Sequence, residues 1–207
     1  MDSKSYFNDV ANQWDTMRKD FFAEEIREKA FEVADIHLGK LAADIGAGTG
    51  FITEGLLLKG LQVIAVDQSE AMIKKMKSKF GDSKLVDYRE GTAESIPIEK
   101  NTVDYIFANM YLHHVEEPLI AIKEMARVLK PGGKMVITDL DQHNNTFLQE
   151  EQYDRWMGFK REDIKTWFQT AGLRNVYVNG AGGNCCAASN SGCEEASVSI
   201  FVAYGEK

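Results

Sequence analysis

The chain has 207 residues, enough for one well-packed domain and short for two. Hydrophobic residues make up 44% and charged ones 27%, which excludes a disordered or fibrous chain. Asp and Glu total 32 against 24 Lys and Arg, and the resulting net charge of −8 argues against a nucleic-acid partner.

The N-terminal "MDSKSYFNDVANQWD" lacks the apolar core of a secretory signal. No apolar stretch approaches the ~20 residues of a membrane span. A cytoplasmic protein without a membrane partner is expected, as a monomer or homodimer. Along the chain, short apolar runs alternate with amphipathic ones. "KLAADIG" (40–46), "LQVIAVD" (61–67), "SKLVDYREG" (83–91), "TVDYIFANM" (102–110) and "GKMVITDL" (133–140) read as strands. Helices are predicted over about 49–60, 69–80 and 116–130. This rhythm predicts right-handed crossovers and a mostly parallel sheet. Beyond residue 140 it changes: helices are expected over about 145–157 and 160–171. Two alternating strands follow, "LRNVYVNG" (173–180) and "ASVSIFVAYG" (196–205). Between them, residues 181–195 are rich in Gly, Asn and Ser and are predicted to form a long loop.

"ADIGAGTGF" (43–51) follows a strand and opens a helix. Gly46, Gly48 and Gly50 permit a tight turn and close approach of a ligand, and the helix start offers free N–H groups. Phe51 stands where a dinucleotide fingerprint needs its third glycine, which weakens a nicotinamide dehydrogenase; the Gly-Lys-Ser/Thr of a P-loop is also absent. Asp67 ends the next strand, where a carboxylate can accept both ribose hydroxyls. No basic cluster accompanies the loop, so a nucleoside without a polyphosphate is favoured over an incidental strand–turn–helix.

"ADIGAGTG", "VIAVDQSEAMI", "EGTAESIPIEKNTVDYIFANMYLHHV" and "LKPGGKMVITDL" resemble, in order, the motifs of class I S-adenosylmethionine-dependent methyltransferases of the UbiE-like small-molecule branch. The resemblance covers about residues 6–171. It implies a Rossmann-like three-layer α/β sandwich, one domain over 1–207. Its seven-stranded sheet would have order 3-2-1-4-5-7-6 with strand 7 antiparallel, and lid helices over about 1–37. It implies S-adenosylmethionine as cofactor. Asp44, Gly46, Ala47 and Gly48 would cradle its methionine part and Asp67 its ribose. Gln68 and Met72 would flank the adenine, with Thr92, Ala93 and Glu94 at the adenine edge and Asn109 facing the methyl. Many relatives carry Asp where Thr92 stands. Tyr6, Phe7 and Trp14 match an element that closes over the cofactor in relatives; Trp14 reads equally as packing on the sheet.

Methyl transfer from a sulfonium needs a base only when the acceptor arrives protonated. Asp139 and His143, in "DLDQH" just after the fifth strand, are the candidate catalytic residues; His113, His114 and Asp141 are further polar groups near the strand ends. The histidines of "LHHV" read first as packing and loop support. Tyr153 and Trp156 line a pocket or form the apolar face of a lid helix. "ANMY" stands where base methyltransferases carry "NPPY" or "DPPY". All three cysteines fall within 183–195. On the family topology, that loop overhangs the substrate pocket. Three readings stay open: Cys185, Cys186 and Cys193 ligate a thiophilic metal or metalloid acceptor, Cys193 pairs with one of the two adjacent thiols, or all are free. The acceptor is therefore a small molecule or metalloid species. A quinol acceptor, or a cofactor-binding sensor without turnover, are the alternatives.

Overall fold

The computed structural model describes residues 3–21, 23–81, 83–189, 192 and 194–207. Three helices, α1 (Ser3–Val10), α2 (Trp14–Phe21) and α3 (Glu24–Ala34), precede the sheet. β1 (Leu41–Ile45), β2 (Gln62–Asp67), β3 (Val86–Glu90), β4 (Val103–Asn109) and β5 (Leu129–Leu140) then alternate with α4 (Phe51–Leu58), α5 (Glu70–Phe80) and α6 (Pro118–Val128). After β5 come α7 (Thr146–Glu151), α8 (Arg161–Thr170), β6 (Arg174–Ala188) and β7 (Glu195–Glu206). The sheet order is β3-β2-β1-β4-β5-β7-β6, with β7 antiparallel to both neighbours, as expected.

Local chemistry sets the helix ends. The Ser69 hydroxyl accepts the Met72 N–H and caps α5, which stops at Gly81. Pro118 opens α6, where its missing N–H costs nothing. The predicted helix over 145–157 is shorter than expected: α7 ends at Glu151, and Tyr153 takes a positive φ of 59°.

The central strands are apolar on both sides because helices cover both faces. Phe107 of β4 packs with Ile26 and Phe31 of α3 and Leu56 of α4; its neighbour Ile106 joins Ile122 of α6 and Phe168 of α8 on the other face. Among the described residues, no helix is long and apolar enough to cross a membrane.

The segment predicted as a loop differs. Strands β6 and β7 stay paired out to Ala188 opposite Glu195, after a register shift between Gly180 and Asn184. Ala181, Cys185, Ala187, Ala196, Val198 and Ile200 are buried, while Cys186, Ala188, Ser197 and Ser199 are exposed. This period-two burial makes the stretch a half-buried ribbon rather than a loop. Residues 190, 191 and 193 at its tip, Cys193 among them, lie outside the described residues.

Candidate active site

The carboxyl ends of β1 and β2 meet in one backbone knot. Gly46 and Ala47 both donate their N–H groups to the Val66 carbonyl, at 2.9 and 3.0 Å. Gly46 has φ +70°, and the space of its missing Cβ is taken by the ring of Tyr111. Gly48 donates its N–H to Asp67 Oδ2 at 2.7 Å, and Ser69 donates to Oδ1 at 2.8 Å. One carboxylate thus ties the glycine turn to the start of α5. Burial raises its pKa, and these hydrogen bonds pull it back. Below the turn, Asp44 Oδ2 accepts the N–H and the hydroxyl of Thr53, at 2.9 and 2.7 Å, which pins α4. Burial outweighs those bonds and pushes the Asp44 carboxyl up to about 7.

The first two helices roof this knot. Trp14 lies over Gly48, and the Thr49 hydroxyl donates to Asp15 at 2.6 Å. The Ser69 hydroxyl donates to Asn8 at 2.7 Å. Phe7 packs edge-on against Trp14 and against His114, at ring separations of 5.2 and 4.9 Å. The Arg18 guanidinium sits 4.1 Å over the Phe51 ring. Trp14 therefore lies over the glycine turn and lines the pocket.

The enclosed pocket brings together Asp44, Gly46, Ala47, Gly48, Asp67, Gln68, Met72 and Asn109, eight of the twelve residues expected at the cofactor. The remaining four lie elsewhere. Tyr6 packs against Phe7 and Tyr153, so its neighbour Phe7 lines the pocket instead. Thr92 and Glu94 line an adjoining cleft that shares Gln68, Tyr111 and His114 with the pocket. Ala93 is fully buried in the core. Tyr111 and Arg18 line the pocket without having been anticipated. Tyr111 had one usable signal, its place two residues beyond Asn109. Arg18 had none, because only the fold of α2 brings it there.

Beyond Asn109 the chain makes a 3-10 turn at Leu112–His114 over a buried polar cluster. Asp139 is fully buried and accepts from Leu112 N (2.7 Å), Leu140 N (2.7 Å) and the His113 N–H (3.4 Å). Its Oδ1 also lies 2.6 Å from His113 Nδ1. With its oxygens engaged inside the protein, Asp139 orients His113 and presents no face to the pocket. Burial opposes charge on His113, but Asp139 and Asp154 prevail and raise its pKa to about 9. Burial and then His113 hold His114 well below the usual range. Burial lifts Asp154 to about 6, against the pull of His113. His143 Nδ1 accepts the Asn145 N–H at 3.2 Å, and burial and His113 lower its pKa. Asp141 is engaged elsewhere, in a forked pair with Arg161 at 2.7 and 2.6 Å that anchors α8 to the end of β5.

Of the three cysteines singled out in the sequence, Cys185 and Cys186 lie within the described residues. Cys185 and Cys186 are consecutive on β6 and so point to opposite faces. Cys185 is buried, whereas Cys186 is exposed with its thiol 3.9 Å from the Ser197 hydroxyl. Burial pushes the Cys185 thiol up to about 12, with Asp154 adding to it, so it stays protonated. The described residues therefore assemble no cysteine chelate.

A mostly parallel sheet with a reversed seventh strand, a glycine turn held by the next strand's acid, and an aromatic roof together define a Rossmann-like α/β fold with a pocket at the strand ends. Residues 43–137 match the methyltransferase domain family. The 2-methyl-6-phytyl-1,4-hydroquinone methyltransferase 1 of Oryza sativa subsp. japonica is 32% identical over 165 residues, 78% of this chain and 49% of the relative. The demethylmenaquinone methyltransferase of Paenarthrobacter aurescens is 32% identical over 136 residues, 64% of this chain and 53% of the relative. The chain spans about half the length of the curated relatives it matches. A crystal structure of a SAM-dependent methyltransferase from Aquifex aeolicus superposes with a TM-score of 0.69 at 23% identity, over 96% of this chain and 97% of that one. The chain belongs to the class I S-adenosylmethionine-dependent methyltransferases of the UbiE-like type.

Proposed function

We propose that the chain transfers a methyl group from S-adenosylmethionine to a quinol-type small molecule. The observation that carries this reading is the glycine turn tied to Asp67 and opening toward Asn109 under Phe7 and Trp14. The cofactor supplies an electrophilic methyl on sulfur; the residues here bind, orient and exclude water. Gly46 and Gly48 permit close approach, and Asp67 offers acceptors for ribose hydroxyls. Asn109, its Oδ1 fixed by the Thr138 hydroxyl at 2.7 Å, stands at the methionine end. In the transfer the acceptor atom forms a bond to the methyl carbon as the carbon–sulfur bond breaks. The acceptor's proton then leaves. Alignment is the main catalytic contribution. Asp139 acts in this scheme as a positioning residue, through His113. The quinol class is favoured by the printed activities of the relatives, and the separated cysteines withdraw support from a metalloid acceptor.

The test is S-adenosylhomocysteine formation with prenylated hydroquinones, their oxidised quinones and arsenite. Turnover with reduced quinols alone is expected. Tight cofactor binding without turnover on any acceptor would point to a sensor, and turnover on arsenite alone would overturn the quinol assignment.

Binding should also depend on pH. A cationic ligand beside Asp44 favours its carboxylate, which carries a proton up to about pH 7 in the free protein. Binding therefore releases a proton below that pH. Affinity is expected to rise by at most about tenfold per pH unit toward 7 and to level off above it. Calorimetry in buffers of different ionisation heat reads this directly; equal heats at pH 6 would contradict it.

A further inference from the structure

We propose that His113, His114 and Asp154 form a binding site for a divalent first-row transition-metal ion, with Asp139 as the outer carboxylate that orients His113. The three donor atoms lie within 4.8 Å of one another. His113 Nε2 is 3.6 Å and His114 Nδ1 3.9 Å from the same oxygen, Asp154 Oδ1. A tetrahedral ion with bonds near 2.1 Å holds its donors about 3.4 Å apart, so small side-chain rotations close the site. The side chains are 6, 6 and 5% exposed, so solvent does not serve these atoms.

Unmet hydrogen-bonding capacity points to a cation. His113 gives its Nδ1 side to Asp139 at 2.6 Å, which leaves Nε2 directed at the Asp154 carboxylate. In the neutral ring, with Nδ1–H given to Asp139, Nε2 and the carboxylate are two acceptors that need a positive charge between them. A proton can serve the His113–Asp154 pair, but 3.6 Å is wide for a hydrogen bond. It also leaves His114 Nδ1 as it stands, buried and without a hydrogen-bond partner. One metal ion satisfies all three atoms. The carboxylate–imidazole contact behind His113 is the arrangement that fixes a metal-binding ring.

The backbone delivers Asp154 into this position. Tyr153 takes φ +59° just before it. Arg155 and Trp156 then both donate their N–H groups to the His113 carbonyl at 3.0 Å. The Trp156 indole donates to the Val115 carbonyl at 2.8 Å. The ligand-bearing loop is thus clamped onto the histidine turn.

Two imidazoles and one carboxylate select zinc, iron or cobalt over magnesium or calcium. Three protein ligands leave an open coordination position, and His114 lines the pocket beside Asn109 and Tyr111.

The experiment is calorimetric titration of the chelator-treated full chain with Zn²⁺, without cofactor. One ion per chain is expected, with affinity lowered about 100-fold or more in His114→Ala and Asp154→Asn. Asp139→Asn should weaken it about 10- to 100-fold, as loss of an outer partner does. The double variant Cys186→Ser, Cys193→Ser should bind as the parent. Circular dichroism establishes that each variant is folded. Absence of binding, full retention in folded His114→Ala, or loss in the cysteine variant would overturn the site. Should the histidine or aspartate variants fail to fold, the Co²⁺-loaded parent decides. Nitrogen–oxygen ligand-field bands support the site, and an intense thiolate charge-transfer band refutes it. S-adenosylhomocysteine formation from a quinol, measured with and without chelator, tests the methyl-transfer reading separately.

Discussion

Asp67→Ala is expected to weaken S-adenosylmethionine binding by about 100-fold, with little change in the global fold. Two effects act together. In the proposed mode of binding the carboxylate accepts from ribose hydroxyls, and a hydrogen bond to a charged group contributes about 1.5–3 kcal/mol. It also accepts the N–H groups of Gly48 and Ser69, so its removal frees the turn that must approach the ligand. Asp67→Asn keeps one acceptor oxygen and loses the charge, and should fall between parent and alanine variant. Calorimetry with S-adenosylhomocysteine measures the series. An unchanged dissociation constant in Asp67→Ala would remove the ribose role from this residue.

The second large effect is expected at Gly46. Its φ of +70° costs an L-residue roughly 1–2 kcal/mol, and an added Cβ would enter the Tyr111 ring. Gly46→Ala should destabilise the chain by about 3 kcal/mol in total, the sum of this strain and the displaced ring. At roughly 2–4 °C per kcal/mol for a chain of this size, the melting temperature falls by about 6–12 °C. Truncating the obstacle should return part of the loss: Gly46→Ala with Tyr111→Ala is expected to be less unstable than the sum of the two single changes. Strict additivity would show that the ring is not what the Cβ meets.

The sheet was legible in the sequence because its central strands are buried on both faces and read as apolar runs, "LAADI" and "YIFAN" among them. The glycine turn was legible because positive φ leaves a compositional mark. The outer half of the β6–β7 ribbon was not. Ala181, Cys185 and Ala187 alternate correctly, but small residues give too little contrast for the period to show, and Gly182 and Gly183 read as loop. For that reason Cys185 and Cys186, expected in a flexible loop, stand on a paired strand. The polar cluster was half legible. His113, His114 and Asp139 sit near predicted strand ends, but Asp154 fell inside a predicted helix. It reaches the histidines only because the chain turns at Tyr153, which no residue type at that position announces. Arg18 likewise depends on how α2 docks, a matter of long-range packing.

Asn8 is held by Ser69 at the edge of the glycine turn, and one residue earlier Phe7 packs on His114. A helix of eight residues thus joins two halves of the pocket wall, the glycine turn and the histidine turn. Whatever a ligand in one half does to the seating of α1 is felt as free energy by the other. That exchange is reciprocal, so an acceptor that tightens the grip on the cofactor is itself held tighter in return, by the same factor.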